Sequence, residues 1–280
     1  MTTDSVSWSK VIKHGLGKYL RLNKPVVIKE VPTSFPPMSW SLESLVEKFG
    51  DTQIRILRSR TGFFSYDDKS ERDIISLSLR EFYEKGVLNR GADGYYYALG
   101  RSPIQQFGNL YEEMKLPAIL SRIVDGPMRL PERNLWISPK GTRTALHFDA
   151  VENLNLQIEG SKSFLIFAPR IKNMHCNPLN SQAAYISSVD PRSENACYSD
   201  FPREEGEDVV LHKGDMLYLP YGWWHQVDTI GDQNMNANYW WFPRIKLATY
   251  PRQTARGAAV LLHRMGSHPH KRAEKMSSQK

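Results

Sequence analysis

The sequence holds 280 residues, 40% hydrophobic and 24% charged, an ordinary globular composition whose length suits one large domain or two small ones. No apolar run approaches the ~20 residues that cross a bilayer. The opening residues lack the basic and apolar regions of a secretory signal, and two cysteines, Cys176 and Cys197, make no disulfide framework, so an intracellular setting, cytoplasmic or nuclear, is expected. Of the net charge of +7, +4 falls from Arg264 onward (Arg264, Lys271, Arg272, Lys275 and Lys280 against Glu274), which favours a solvated basic tail over a dedicated nucleic-acid face.

Lys24 to Val31 is β-rich and bounded by prolines, and reads as a first strand. Ser41 caps a helix in which Leu42, Leu45, Val46 and Phe49 share one face and Gly50 is the stop. Thr52 to Leu57 reads as a strand. Ser78 to Glu81 is a capping-box pattern that opens a second helix ending near Gly86. Tyr95 to Leu99 is another strand, and Gln105 to Val124 is helical in two pieces broken at Pro117. Four strands then follow closely: Leu135 to Ser138, Thr144 to Phe148, Leu154 to Ile158 and Ser163 to Phe167. Arg170 to Asp208 is irregular and too long for a simple connection, which predicts a substrate-contacting insert or lid outside the core. Strands resume at Asp208 to His212, Asp215 to Leu219, His225 to Thr229 and Asn236 to Trp241, and Thr254 to Met265 is a terminal helix.

Short strands at close spacing, with helices at both ends, predict a mainly β sandwich or barrel. The expected organisation is a single domain over 1–266, with a helix–strand part at 1–130, a barrel at 131–245, a helix at 252–266 and a disordered basic tail at 267–280.

Two histidines and a carboxylate with open coordination positions are the facial ligand set of non-haem iron(II) oxygenases. His147 and Asp149 fall on one face of a strand by alternation, and His225 opens a later strand after the turn from Pro220 to Trp223. A His-x-Asp triplet also arises by chance, as a strand-end histidine pairing an aspartate. Glu159-Gly160 reads as a two-residue hairpin turn pairing Gln157 with Lys162 and Asn155 with Phe164. One face of that hairpin then carries Asn153, Asn155, Gln157 and Lys162 beside Phe164 and Ile166. This suggests a lined cavity for an anion, the bland alternative being a solvated hairpin lysine. Trp223, Trp224, Tyr239 and Trp241 read as packing, and Trp240, which shares strand parity with Asn238, as a substrate-contact candidate. His175, His212, His268 and His270 read as surface residues.

Taken together, Thr144-x-x-His147-x-Asp149-x-x-x-Asn153, then Lys162, then Gly214 to Pro220 leading to Trp223-Trp224-His225, and last Asn238-Tyr239-Trp240, resemble the JmjC (cupin-like) iron(II)- and 2-oxoglutarate-dependent oxygenases. The resemblance runs from about Tyr95 to Phe242 and touches two branches, the asparaginyl hydroxylase that inhibits HIF and the tRNA wybutosine hydroxylase. It implies a double-stranded β-helix (jelly roll), with iron(II) on His147, Asp149 and His225 and dioxygen and 2-oxoglutarate as co-substrates. It further implies that Lys162, Thr144 and one tyrosine hold the far carboxylate of 2-oxoglutarate, with Asn153 and Asn238 near the metal end. Tyr96 is the expected tyrosine, and a shift of one residue would give Tyr95 or Tyr97. Thr144 sides with the protein hydroxylase, whereas Phe164 to Arg170 and the basic terminal helix side with the tRNA branch. The reading is hydroxylation of an unactivated C–H bond on a protein side chain, with a modified tRNA nucleoside as alternative substrate and a non-catalytic metal-binding cupin as alternative function. Pairing of two chains through the terminal helix is a further expectation.

Overall fold

Alternation along the strands decides which residues face inward. The computed structural model describes residues 2–65, 72–125, 130–193, 198–243 and 249–266; Cys197 and the basic tail fall outside these. In chain order come β1 (Asp4–Ser7), α1 (Trp8–His14), α2 (Gly17–Leu22), β2 (Val26–Lys29), α3 (Leu42–Phe49), β3 (Gln53–Ser59), β4 (Phe63–Phe64) and β5 (Arg72–Ser78). Next are α4 (Leu79–Phe82), β6 (Tyr96–Pro103), α5 (Leu110–Glu113), α6 (Ala118–Val124), β7 (Glu132–Ile137), β8 (Arg143–Thr144), β9 (His147–Phe148), β10 (Glu152–Glu159) and β11 (Ser161–Phe167). The chain continues through β12 (Glu207–His212), β13 (Met216–Leu219), β14 (Trp224–Thr229), β15 (Met235–Trp241) and α7 (Pro251–Gly266).

The larger sheet runs β1-β2-β13-β10-β15-β7-β6-β3-β5; the smaller runs β12-β11-β14-β8-β4, with β9 also pairing β14. This is the expected jelly roll of two facing sheets flanked by helices. The 1–130 part is no separate cover, because β2 pairs β13, β6 pairs β7 and β4 pairs β8. In β15, Met235, Ala237, Tyr239 and Trp241 enter the apolar core under the helices, while Asn236, Asn238 and Trp240 face the space between the sheets. In β10, Leu154, Leu156 and Ile158 take the same outer core, and Asn153 and Asn155 point the other way. The small sheet sends Leu165, Phe167 and Trp224 outward and Lys162, Phe164, His225, Val227 and Thr229 inward. Val27, Phe164, Ile166, Leu217, Leu219 and Trp223 close one end of the sandwich with apolar contacts.

Both predicted caps form. Ser44 N donates to Ser41 Oγ at 3.1 Å and Glu81 N to Ser78 Oγ at 3.2 Å, satisfying amides that a helix start leaves unpaired. The second helix continues as a wide π turn to Leu88 rather than stopping at Gly86. Gln105 to Val124 divides into a 3-10 turn, α5 and α6 instead of two pieces, with Pro117 at the start of α6 as expected.

Three expectations need correction. Glu159-Gly160 is not a hairpin turn: β10 pairs β13 and β15, whereas β11 pairs β12 and β14. The chain there crosses from one sheet to the other at Gly160, whose φ of +70° and backbone approach leave no space for a side chain, since a Cβ would lie 2.0 Å from Gln233 O. The strand expected over Thr144 to Phe148 is two short pieces, and Asp149 lies just past the second. The insert between β11 and β12 is also not a lid held off the core. Its Met174, Val189 and Phe201 are buried against Leu146, Phe148, Phe167 and Trp224 on the outer face of the small sheet. Helix α7 rests on its own chain, with Gln253 donating to Pro169 O and Arg256 to the carbonyls of Asn177 and Ala184. No helix among the described residues is long and apolar enough to cross a membrane.

Candidate metal and anion site

His147 is placed by β9, which pairs β14 so that His147 stands opposite His225. The long insert adds a second edge: His147 bridges Ile186, Phe148 N donates to Tyr185 O at 3.2 Å and Ser187 N to Leu146 O at 2.8 Å. Asp149, beyond the strand, is tied by Gly222 N donating to its carbonyl at 3.2 Å, so the turn before β14 holds the segment that carries Asp149.

The three side chains converge, with one potential ligand atom of each within 4.8 Å of the others. The imidazole rings lie 4.2 Å apart by centroid, and His225 Nε2 is 3.7 Å from Asp149 Oδ2. Each histidine also touches a carbonyl through Nδ1, His147 with Ala145 O at 2.7 Å and His225 with Trp223 O at 3.1 Å. A carbonyl only accepts, so Nδ1 carries the proton and Nε2 keeps its lone pair for a cation. Burial, then the neighbouring His147, pushes His225 down to about 4, so its ring is neutral at pH 7. Asn153 Nδ2 donates to Asp149 Oδ2 at 3.3 Å and steadies the carboxylate.

These three side chains line a cavity between the sheets of about 100 Å³ that also takes in Thr144, Asn153, Asn155, Lys162, Asn236, Asn238 and Trp240. A water needs about 10–15 Å³ on that measure, so the space holds roughly seven to ten water-sized groups, the size of a small dicarboxylate. Lys162 is only 6% exposed and has no ion-pair or hydrogen-bond partner among the described residues; burial lowers it to about 8. Asn153 Oδ1, Asn155 Nδ2 and Asn238 Oδ1 are buried there without partners as well. Each such group costs about 1–3 kcal/mol if left unmet. An unpaired cation and the unmet Asn155 N–H suit an anion, while the unmet oxygens of Asn153 and Asn238 can only accept. The donor set therefore fits a divalent metal at one end and a carboxylate ligand beside it.

The expected side chains separate clearly here. His147, Asp149, His225, Thr144, Asn153, Lys162, Asn238 and Trp240 all line the cavity. Trp223, Trp224, Tyr239 and Trp241 are buried packing residues. Among the described residues, no member of the tyrosine triplet lines the cavity. Tyr96, the expected ligand, lays its ring against Gly62 and Gly141; Tyr97 is buried in the outer core and donates to Asp93; Tyr95 sits between Arg58 and Arg60. The cavity positions of β6 are Ala98, Leu99 and Gly100 instead. Sequence reasoning passed over Ser138, Thr142, Trp136 and Thr229, which also line it. Strand parity with His225 was the available signal for Thr229.

Behind the cavity, Arg143 pairs Asp228 at 2.5 Å and Asp190 at 3.3 Å, Arg192 bridges Asp228 and Asp208, and Gln226 donates to Asp190 at 2.9 Å. This network fastens the insert to the back of the small sheet.

The profile of the cupin-like domain family matches residues 15–246. Among curated relatives, Lysine-specific demethylase JMJ31 of Arabidopsis thaliana is 26% identical over 73% of this chain and 42% of its own length. tRNA wybutosine-synthesizing protein 5 of Danio rerio is 24% identical over 78% of this chain and 68% of its own. JmjC domain-containing protein D of Dictyostelium discoideum reaches 38% identity over a shorter stretch, 35% of this chain and 22% of its own. The chain spans about half the length of the first demethylase relatives it matches. The profile match over most of the sequence, on a double sheet with its metal-capable triad, shows that this chain belongs to the cupin-like (JmjC) domain family.

Proposed function

We propose that this protein is an iron(II)- and 2-oxoglutarate-dependent oxygenase that hydroxylates an unactivated C–H bond, with a protein side chain as substrate. The observation that carries the reading is Lys162, a buried cation without a partner in the same small cavity as His147, Asp149 and His225. His147 and His225 would hold the metal through Nε2 and Asp149 through its carboxylate. Lys162 and Thr144 would receive the far carboxylate of the co-substrate, while Asn153 and Asn238 would meet polar groups nearer the metal. When bound, iron with 2-oxoglutarate and dioxygen supplies the oxidising chemistry, with succinate and carbon dioxide as by-products. The protein's part is to orient ligands, keep water out with the walls of Phe64, Phe164 and Val227, and offer Trp240 to the substrate.

A protein substrate is supported by relatives named lysine-specific demethylases, since hydroxylation of an N-methyl group is the same C–H chemistry. A tRNA nucleoside is the second reading, favoured by wybutosine-synthesizing protein 5, of which this chain matches the larger share. We place the enzyme inside the cell. The test is succinate release on adding iron(II), 2-oxoglutarate and ascorbate, followed by supply of peptide or tRNA. Turnover lost in Asp149→Ala supports the reading. Metal binding without any succinate would instead make the protein a non-catalytic cupin.

A further inference from the structure

We propose that the hydroxyls of Thr229 and Ser138, in place of a tyrosine from β6, complete the site at which Lys162 receives a carboxylate. The inference rests on the reading above that the cavity takes 2-oxoglutarate.

Register brings the groups together. Lys162 in β11 stands directly opposite Thr229 in β14, and both side chains face the cavity. Ser138 follows the last residue of β7 in the larger sheet, yet its Oγ lies 2.8 Å from Thr229 Oγ1 of the smaller sheet. The pair spans the two sheets beside Lys162. Backbone bonds hold both residues, Ser138 N donating to Asn234 O at 3.2 Å and Thr229 N to Thr142 O at 3.0 Å.

Counting protons shows which hydroxyls are free to serve an anion. Thr142 Oγ1 contacts both Pro139 O at 2.8 Å and Thr229 Oγ1 at 3.0 Å. A threonine has one O–H, and Thr142 is the donor toward both Pro139 O and Thr229 Oγ1, so its single proton is spent there and none is left for an anion. The protons of Thr229 and Ser138 have no such fixed claim. Thr229 can turn to a carboxylate while Ser138 donates to Thr229, or Ser138 can turn while Thr229 donates to it.

Among the described residues, β6 offers the cavity no tyrosine in its lining. Leu57 and Ala98 pair across β3 and β6 and face the cavity, with Gly100 following two residues on. Ala98 and Gly100 bear no donor. The Tyr97 hydroxyl is engaged with Asp93, and the Tyr96 ring is stacked over Gly141. A lone ammonium beside two hydroxyls that can be redirected suits a carboxylate, whose two oxygens accept several charge-assisted bonds.

The test is calorimetry on the full chain loaded with manganese(II), titrating 2-oxoglutarate and, separately, 2-oxobutanoate, which keeps the keto acid and lacks the far carboxylate. Thr229→Val and Ser138→Ala are each expected to weaken 2-oxoglutarate by roughly tenfold to a hundredfold while leaving 2-oxobutanoate unchanged. Thr229→Ser should restore the affinity, and Tyr96→Phe should change neither ligand. The proposal is overturned if both hydroxyl variants bind 2-oxoglutarate like wild type, or if Tyr96→Phe carries the loss. It is also overturned if the variants weaken both ligands equally and Thr229→Ser does not recover them. Wild-type protein that binds neither ligand would remove the oxygenase reading as well, whereas normal wild-type binding with silent variants would remove this assignment alone.

Discussion

Replacing Lys162 by Met should move stability and ligand affinity in opposite directions. The ammonium is buried and unpaired, and it is held down to about 8 by burial alone. Its ordinary value of about 10.4 makes the difference worth about 3 kcal/mol against the folded state at pH 7. The folded value is lower than the unfolded one, so between them the unfolded chain binds more protons and stability rises with pH. Below about pH 8 the cost is fully present; by about pH 10.5 it is gone. Met fills similar space without a charge, so the metal-free, ligand-free variant should melt roughly 5–10 °C higher at pH 7. That gain should shrink steadily from pH 8 to 10.5. In contrast, a bound carboxylate would lose its ionic partner, at about 3–5 kcal/mol, weakening 2-oxoglutarate more than a hundredfold. Scanning calorimetry across pH and titration calorimetry with manganese(II) read the two effects. A variant that melts lower and still binds 2-oxoglutarate normally would refute the reasoning, because Lys162 would then be solvated or paired.

Asp149→Ala should abolish metal binding with little change in melting temperature, because Asp149 sits outside the apolar clusters; retained metal by elemental analysis would undo the ligand assignment. Phe201→Ala should destabilise the fold by about 3–5 kcal/mol, since its ring is 4% exposed and packs on Phe167 at 5.5 Å; an unchanged denaturation midpoint would return the insert to the role of a lid. Removing residues 267–280, with Lys271, Arg272, Lys275 and Lys280, should leave 2-oxoglutarate decarboxylation unchanged. If tRNA is the substrate, the same truncation should flatten the salt dependence of binding, and if a protein is, it should not.

Much of the site was legible from residue order. A histidine and an aspartate two residues apart, His147 and Asp149, and a polar row on one face of an otherwise apolar strand are local patterns. Period-2 alternation reports them without knowledge of the partner strand. That is why Asn153, Asn155 and Lys162 were rightly read as facing a cavity although the hairpin proposed for them does not exist. Alternation states which face a side chain takes and is silent about which strand lies beside it, so a hairpin turn and a crossing between sheets look alike at Glu159-Gly160. The same silence explains Tyr96, whose side of the strand was right but whose place along the cavity depends on Gly62 and Gly141 from other strands. The insert from Arg170 was misread because its buried residues, Met174, Val189 and Phe201, follow no period and are recruited one at a time by the outer face of the small sheet. Ser138 and Thr229 lie far apart in sequence and come within 2.8 Å only because two sheets close on each other. Residue order singled out the His147, Asp149 and His225 side chains that converge; packing of the two sheets decided which hydroxyls line the cavity with the buried lysine.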